Sequence, residues 1–181
     1  TRDCVLGFGE LLSSRILSAG LLCEGVENSW KDSRELILTD SRYGHAQVDF
    51  KATKKRMTEF LQETTDSLLI VPGFIASDAN GITTTLGRGG SDYSAAIFGS
   101  MLSAGSIEIW TDVSGMMTAD PRLVSHARVI PNISYHEAME LSHFGAKVIY
   151  PPTLRPVMSK GIPVRIKNTF SPSDPGTLIE K

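Results

Sequence analysis

Apolar positions along this chain recur with two periods, and their alternation lays out the predicted elements. Over residues 6–22 they fall at Leu11, Leu12, Ile16, Leu17, Leu21 and Leu22, three and four apart, which predicts an amphipathic helix. The short apolar run over residues 34–39, ended by Asp40 and Ser41, predicts a buried strand and then a loop. Residues 53–62 place Met57, Phe60 and Leu61 on one helical face. Residues 67–71, Ser-Leu-Leu-Ile-Val, are continuously apolar, as suits a parallel strand covered on both sides, and Pro72-Gly73 ends it. Residues 74–77 and 82–85 then flank Asp78-Ala79-Asn80-Gly81, the pattern of a β-hairpin with a polar turn.

Beyond the hairpin, residues 91–104 carry Ala95, Ile97, Phe98, Met101 and Leu102 among small residues and almost no charge, which predicts a helix buried against a sheet. A strand over 106–110 follows, with Thr111 and Asp112 at its carboxyl end, where open α/β sheets bind ligands. The remaining expectations are a loop over 113–122, a helix over 135–144, an extended piece over 146–150, a helix over 153–160, a strand over 163–167 and a linker over 171–176. Strands alternating with helices predict an α/β fold, with a mainly parallel sheet between helix layers.

Residues 83–92, Thr-Thr-Thr-Leu-Gly-Arg-Gly-Gly-Ser-Asp, carry the densest chemistry. A strand feeds a glycine turn that opens a helix, and free N–H groups at such a helix start attract phosphate or carboxylate. Arg88 adds a planar fork suited to a carboxylate. A plain glycine turn with Ser91 or Asp92 as N-cap fits the same letters. Glu10, near the start of the first helix, reads equally as a favourable first-turn charge or as a functional carboxylate.

Composition narrows the classes. With 41% hydrophobic and 21% charged residues in 181, the chain has the make-up of a soluble globular domain. A formal charge of −2 and no basic run argue against nucleic acid as a partner. Cys4 and Cys23 have no C-x-x-C spacing, which favours a reducing cytoplasm over a zinc site or disulfide framework. No signal-peptide pattern occurs, no stretch is expected to approach the ~20 apolar residues of a bilayer span, and no membrane partner is expected. P-loop, G-x-G-x-x-G, H-E-x-x-H and G-x-S-x-G patterns are absent, and His136 and His143 fit a solvated helix face better than metal ligands. What remains is an anion turn, a Thr-Asp pair at a strand end and the later cations Arg122 and Lys147, a set that suits phosphoryl transfer between two substrates.

Four segments together resemble the signature of aspartate kinases: residues 84–95 around Arg88-Gly89-Gly90-Ser91-Asp92, residues 109–115 (Ile-Trp-Thr-Asp-Val-Ser-Gly), residues 118–122 (Thr-Ala-Asp-Pro-Arg) and residues 144–148 (Phe-Gly-Ala-Lys-Val). Residues 135–142 and 166–169 are similar in particular to the kinase part of bifunctional aspartokinase–homoserine dehydrogenases. The resemblance implies the amino-acid kinase fold, a three-layer α/β/α sandwich, and transfer of the ATP γ-phosphoryl group to the side-chain carboxylate of L-aspartate with Mg2+ held by phosphates and water. It implies that Arg88 holds the α-carboxylate of aspartate, that Gly89, Gly90 and Ser91 line that pocket, that Asp92 organises the reacting centre, and that Glu10 meets the substrate amino group. Thr111, Asp112, Met117, Arg122, Lys147 and Val148 match nucleotide-site positions, and no residue is assigned as a metal ligand.

Gly7 departs from that pattern where Ser is usual, and Met117 where Tyr is common. The Lys-Phe-Gly-Gly-Thr segment of the family does not occur in these residues. The expectation is therefore a fragment: a catalytic domain over 1–170 lacking its N-terminal segment and inactive in isolation, then a linker over 171–181 towards an absent regulatory domain, in a parent that is a homo-oligomer. Another kinase of the same fold, for glutamate, acetylglutamate or uridylate, is the nearest enzymatic rival. A non-catalytic amino-acid-binding or assembly module is the rival from a different class.

Overall fold

The computed structural model describes residues 2–143 and 148–181, which divide into two compact units, Thr1–Ser94 and Ala95–Lys181. In the first, helix α1 (Arg2–Cys23) packs beside strands β1 (Ser29–Trp30) and β4 (Thr83–Thr85). An amphipathic surface helix ordinarily turns its apolar stripe to the core. Here the buried residues of α1 are Asp3, Gly7, Ser14 and Ser18, whereas Leu12 and Ile16 are each 63% exposed, as are, to similar degrees, Val5, Phe8 and Leu17. Close approach explains the inversion. A Cβ on Gly7 would lie 2.9 Å from Ile75 Cγ2, so the helix backbone rests on the hairpin where a serine would have to push it away. Ser18 donates to Asn28 Oδ1 (2.6 Å), and Ser14 Oγ accepts from the Trp30 indole (2.9 Å). The length and composition of α1, with an 18-residue window of mean hydropathy 1.4, also reach those of a membrane span, contrary to the sequence expectation; its polar face is the one buried.

The run predicted as a strand over 34–39 divides in two. Asp32 accepts from the Arg34 N–H and caps a short helix, α2 (Ser33–Leu36), and only residues 37–39 run extended, bonded to Ser77. A short apolar run fits either element, and the cap decides it. Helix α3 (Phe50–Glu63), capped by Asp49, covers the predicted 53–62. Strand β2 (Leu69–Ile70) pairs parallel with β1 as expected, but its residues are only half-buried. Strand β3 (Ile75–Ser77) pairs antiparallel with β4 as the predicted hairpin, and Asp78 Oδ1 closes its turn by accepting from the Asn80 and Ile82 N–H groups.

Helix α4 (Gly90–Leu102) begins in the first unit and continues into the second. There strands β5 (Ile107–Thr111), β6 (Asn132–Ser134), β7 (Val164–Asn168) and β8 (Thr177–Glu180) form one sheet in the order β5-β7-β8-β6. Helix α5 (Tyr135–His143) follows β6. A 3₁₀ turn (Pro151–Leu154) runs into α6 (Arg155–Met158), where one helix over 153–160 was expected. Pairs β5–β7 and β6–β8 are parallel and β7–β8 is antiparallel. Among the described residues three of the five named strand pairs are parallel, so the sheets are mixed with a parallel majority.

Strand β8 corrects the linker reading of 171–181. Residues 169–176 form the turn of a β7–β8 hairpin, and β8 lies between two neighbours with Thr177 and Ile179 fully buried. Thr177 Oγ1 accepts from the Met116 N–H (2.8 Å) and donates to the Ile130 carbonyl (2.7 Å), fastening the 116–130 loop to the sheet. Ile179 at 0% exposure sits in the core with Met116, Ile133, Tyr135, Val157 and Ile166. Ile179→Ala should therefore cost about 2–5 kcal/mol in urea unfolding. A loss within experimental error of zero would restore the linker.

Candidate active site

Three successive buried threonines, Thr83 to Thr85, bring the chain to the glycine turn. Gly87 accepts from the Gly90 N–H (3.0 Å), so Arg88 and Gly89 are the central residues of a β-turn; Gly89 has φ 67°, as a type II turn requires at that position. Gly87 itself has φ 75°, and a Cβ there would stand 3.1 Å from the Gly44 carbonyl oxygen. The Tyr93 N–H donates to Gly89 (2.9 Å) and opens α4. This puts the exposed Arg88 at the tip and Ser91 and Asp92 in the first turn, where helix geometry gives N–H groups no intrahelical partner. The turn is thus built as the letters predict, with an anion-attracting helix start behind a guanidinium.

Asp92 is half-buried, and that burial pushes its carboxyl above the ordinary carboxylate range despite its place at a helix start. Glu10 is half-buried on α1, on the face that carries Asp3, Gly7 and Ser14 and that packs on the hairpin.

Two supports of the turn were not evident from sequence. Phe74 has φ 69°, and the Ile75 N–H donates across it to the Gly73 carbonyl (2.8 Å), a γ-turn that costs a non-glycine residue on the order of 1–3 kcal/mol. Ser94 holds it there: its Oγ accepts from the Phe74 N–H (2.9 Å) and donates to the Gly90 carbonyl (2.8 Å). The Phe74 ring lies on Gly90, where a Cβ would meet Cδ2 at 2.7 Å, and Gly73 passes against Ser91. Pro72-Gly73 ahead of an aromatic residue was the available signal of an unusual bend.

The residues matched to a nucleotide site belong to the second unit. Thr111 ends β5; its carbonyl accepts from Thr169 (2.8 Å) and its hydroxyl donates to Asp112 (3.2 Å), which is exposed. Met117 forms an antiparallel bridge with Val129 and is half-buried. Arg122 is 87% exposed by side chain and forks onto Asp120, with Nε–Oδ1 3.0 Å and a second bond of 2.7 Å. That guanidinium, with the Arg122 backbone N–H, lowers the Asp120 carboxyl to about 2. Val148 packs against the core of this unit. Lys147 lies outside the described residues.

A sequence model of the amino acid kinase family matches residues 1–168. The chain is 45% identical over 180 residues to a chloroplastic bifunctional aspartokinase/homoserine dehydrogenase of Zea mays, covering 99% of this chain and 20% of that protein. It is 41% identical to the lysine-sensitive aspartokinase 3 of Escherichia coli, covering 98% of this chain and 40% of that one. The crystal structure of E. coli aspartokinase III in complex with aspartate and ADP superposes with a TM-score of 0.94 at 40% identity, over 99% of this chain and 40% of that chain. The chain thus spans a fifth to two-fifths of the length of these relatives. A family model covering nearly all of its residues, and an α/β structure of which 99% superposes on part of a solved aspartokinase, establish that this chain belongs to the amino acid kinase family.

Proposed function

We propose that these residues form the catalytic part of an aspartate kinase, which transfers the ATP γ-phosphoryl group to the side-chain carboxylate of L-aspartate. The product is 4-phospho-L-aspartate, the first intermediate on the way to lysine, threonine and methionine. The observation that carries this reading is the type II turn that sets Arg88 ahead of the α4 N-terminus, a donor set shaped for a carboxylate. The relative of E. coli, whose structure holds aspartate and ADP, supports it.

In this reading Arg88 grips the substrate α-carboxylate through two charge-assisted bonds while Gly89, Gly90 and Ser91 bring backbone close to it. Glu10 meets the ammonium group. Asp92 organises the reacting centre, and the turn orients the attacking carboxylate so that positioning, rather than covalent chemistry, lowers the barrier. Thr111, Asp112, Met117, Arg122, Lys147 and Val148 serve the nucleotide. The Arg122–Asp120 pair is exposed, and such pairs are weak enough for the guanidinium to exchange a carboxylate for a phosphate. Among the described residues no group of three or more His, Cys, Asp or Glu side chains is arranged to hold a metal. In this reading Mg2+ would be carried on the nucleotide phosphates and completed by water, where it would neutralise charge on the transferring group. Both cysteines are free thiols, in keeping with a reducing compartment such as the cytoplasm.

Arg88→Ala in the full-length protein should raise the KM for aspartate on the order of 10- to 100-fold, the equivalent of one lost charge-assisted bond, and leave the KM for ATP within threefold. An unchanged aspartate KM would remove Arg88 from the pocket.

Asp92→Asn separates function from stability. A carboxyl raised by burial binds its proton more tightly in the folded state, so its contribution to stability is whole below the ordinary value of about 3.9 and is lost as pH rises through the folded value. The neutral amide escapes that loss. The variant should melt higher than the parent at pH 7, with the difference vanishing towards pH 3, while turnover falls on the order of 10²- to 10³-fold. A melting temperature lowered equally at both pH values would contradict the burial assignment.

A further inference from the structure

Asp3 carries a buried carboxylate with no part in the site as described. It is 2% exposed, and a single oxygen, Oδ2, accepts three hydrogen bonds: from the Thr85 N–H (2.8 Å), the Thr85 hydroxyl (3.0 Å) and the Gly44 N–H (2.8 Å). A carboxylate is expensive to bury and is retained only where donors converge on it, as they do here. The donors come from two separate segments. Thr85 is the last residue of β4, two positions before Gly87, and its carbonyl is fastened in turn by the Ala46 N–H (2.9 Å). Gly44 belongs to the 41–46 loop, and its carbonyl oxygen is the atom that fills the side-chain space beside Gly87, with His45 Cβ next to it at 3.3 Å from the same point.

Asp3 therefore clamps one loop against the entry of the glycine turn from below. With Gly44 held, Gly87 has a backbone carbonyl for a neighbour and keeps its left-handed conformation; with Thr85 held by its N–H, its hydroxyl and its carbonyl, the strand end cannot shift in register. The direction in which Arg88 leaves the turn follows from those two constraints. Resting on the reading of this turn as the aspartate site, we propose that Asp3 is a positioning residue for acceptor-substrate binding, which acts through Thr85 and Gly44 and touches no substrate.

The test uses the full-length protein and compares Asp3→Asn, Thr85→Val and Thr53→Ala. Asparagine offers one carbonyl oxygen in the same place without the charge, and valine keeps the shape of Thr85 without its hydroxyl. Thr53 is a stability control: it is fully buried in the same unit and its Oγ1 accepts from the Leu38 N–H (3.1 Å), away from the turn. Asp3→Asn should raise the aspartate KM about tenfold and Thr85→Val about threefold, with kcat and the KM for ATP held within threefold, because a misplaced binding group weakens binding of one substrate only. Thr53→Ala should lower the melting temperature and leave the aspartate KM unchanged. If Asp3→Asn loses stability with an unchanged aspartate KM, or lowers every kinetic constant together as a partly unfolded enzyme does, the positioning role is wrong. Amide hydrogen exchange reads the clamp even if the parent does not turn over aspartate. Faster exchange at Gly44, Thr85 and residues 87–91 in Asp3→Asn, and not in Thr53→Ala, supports the clamp; unchanged exchange there overturns it, whereas absent aspartate turnover by the parent counts against the functional reading alone.

Discussion

At Gly87 the backbone must turn with positive φ while the carbonyl of Gly44 occupies the place of a side chain, and the geometry of the glycine turn that carries Arg88 depends on that contact. Only glycine meets both demands, since the left-handed conformation is costly for other residues and the Cβ would crowd a backbone oxygen. Everything adjacent is arranged to keep the two strands of chain in that proximity. Asp3 draws Gly44 and Thr85 together from one side, and Ser94 holds the strained Phe74 and the Gly90 carbonyl from the other. A turn pinned at both flanks presents Arg88 and the α4 N-terminus with little freedom left to lose on binding, which is how pre-organisation improves affinity and orientation.

The inverted amphipathicity of α1 follows from the same requirement. A helix that must bring a carboxylate at Asp3 to a strand end cannot hold large side chains between itself and the hairpin, so Gly7, Ser14 and Ser18 face inwards and Val5, Phe8, Leu12, Ile16 and Leu17 face out. Its position is determined by polar contacts and close backbone approach, with hydrophobic burial in a lesser role. The second unit is built on the opposite principle. One face of its sheet packs on a continuous apolar core, and Thr177, buried at the start of β8, satisfies two backbone groups of the 116–130 loop.

Much of this was legible in the letters, and the failures have physical causes. The hairpin around Asp78-Gly81, helices α3 and α4 and strands β5 and β7 follow from local patterns with few competitors. The apolar period of α1 gave the helix but not its orientation, because periodicity finds a stripe and cannot say which neighbour is small enough to approach. Strand β8 was hidden by the Ser-Pro-Ser-Asp-Pro-Gly composition before it; four residues of Thr-Leu-Ile-Glu become a central strand only through their partners. At the site, Gly87 to Asp92 announced the turn, whereas Asp3, Phe74 and Ser94 support it from positions whose proximity only the fold creates.

The central claim is that the Arg88 turn is built for L-aspartate as a phosphoryl acceptor. Trapping of the acyl phosphate measures this most directly: the full-length protein is incubated with ATP, Mg2+ and hydroxylamine, and each of L-aspartate, L-glutamate, N-acetyl-L-glutamate and UMP is offered in turn. The account predicts a hydroxamate with L-aspartate alone, formed in step with ADP. ADP release driven by glutamate, acetylglutamate or UMP, with no hydroxamate from aspartate, would contradict it.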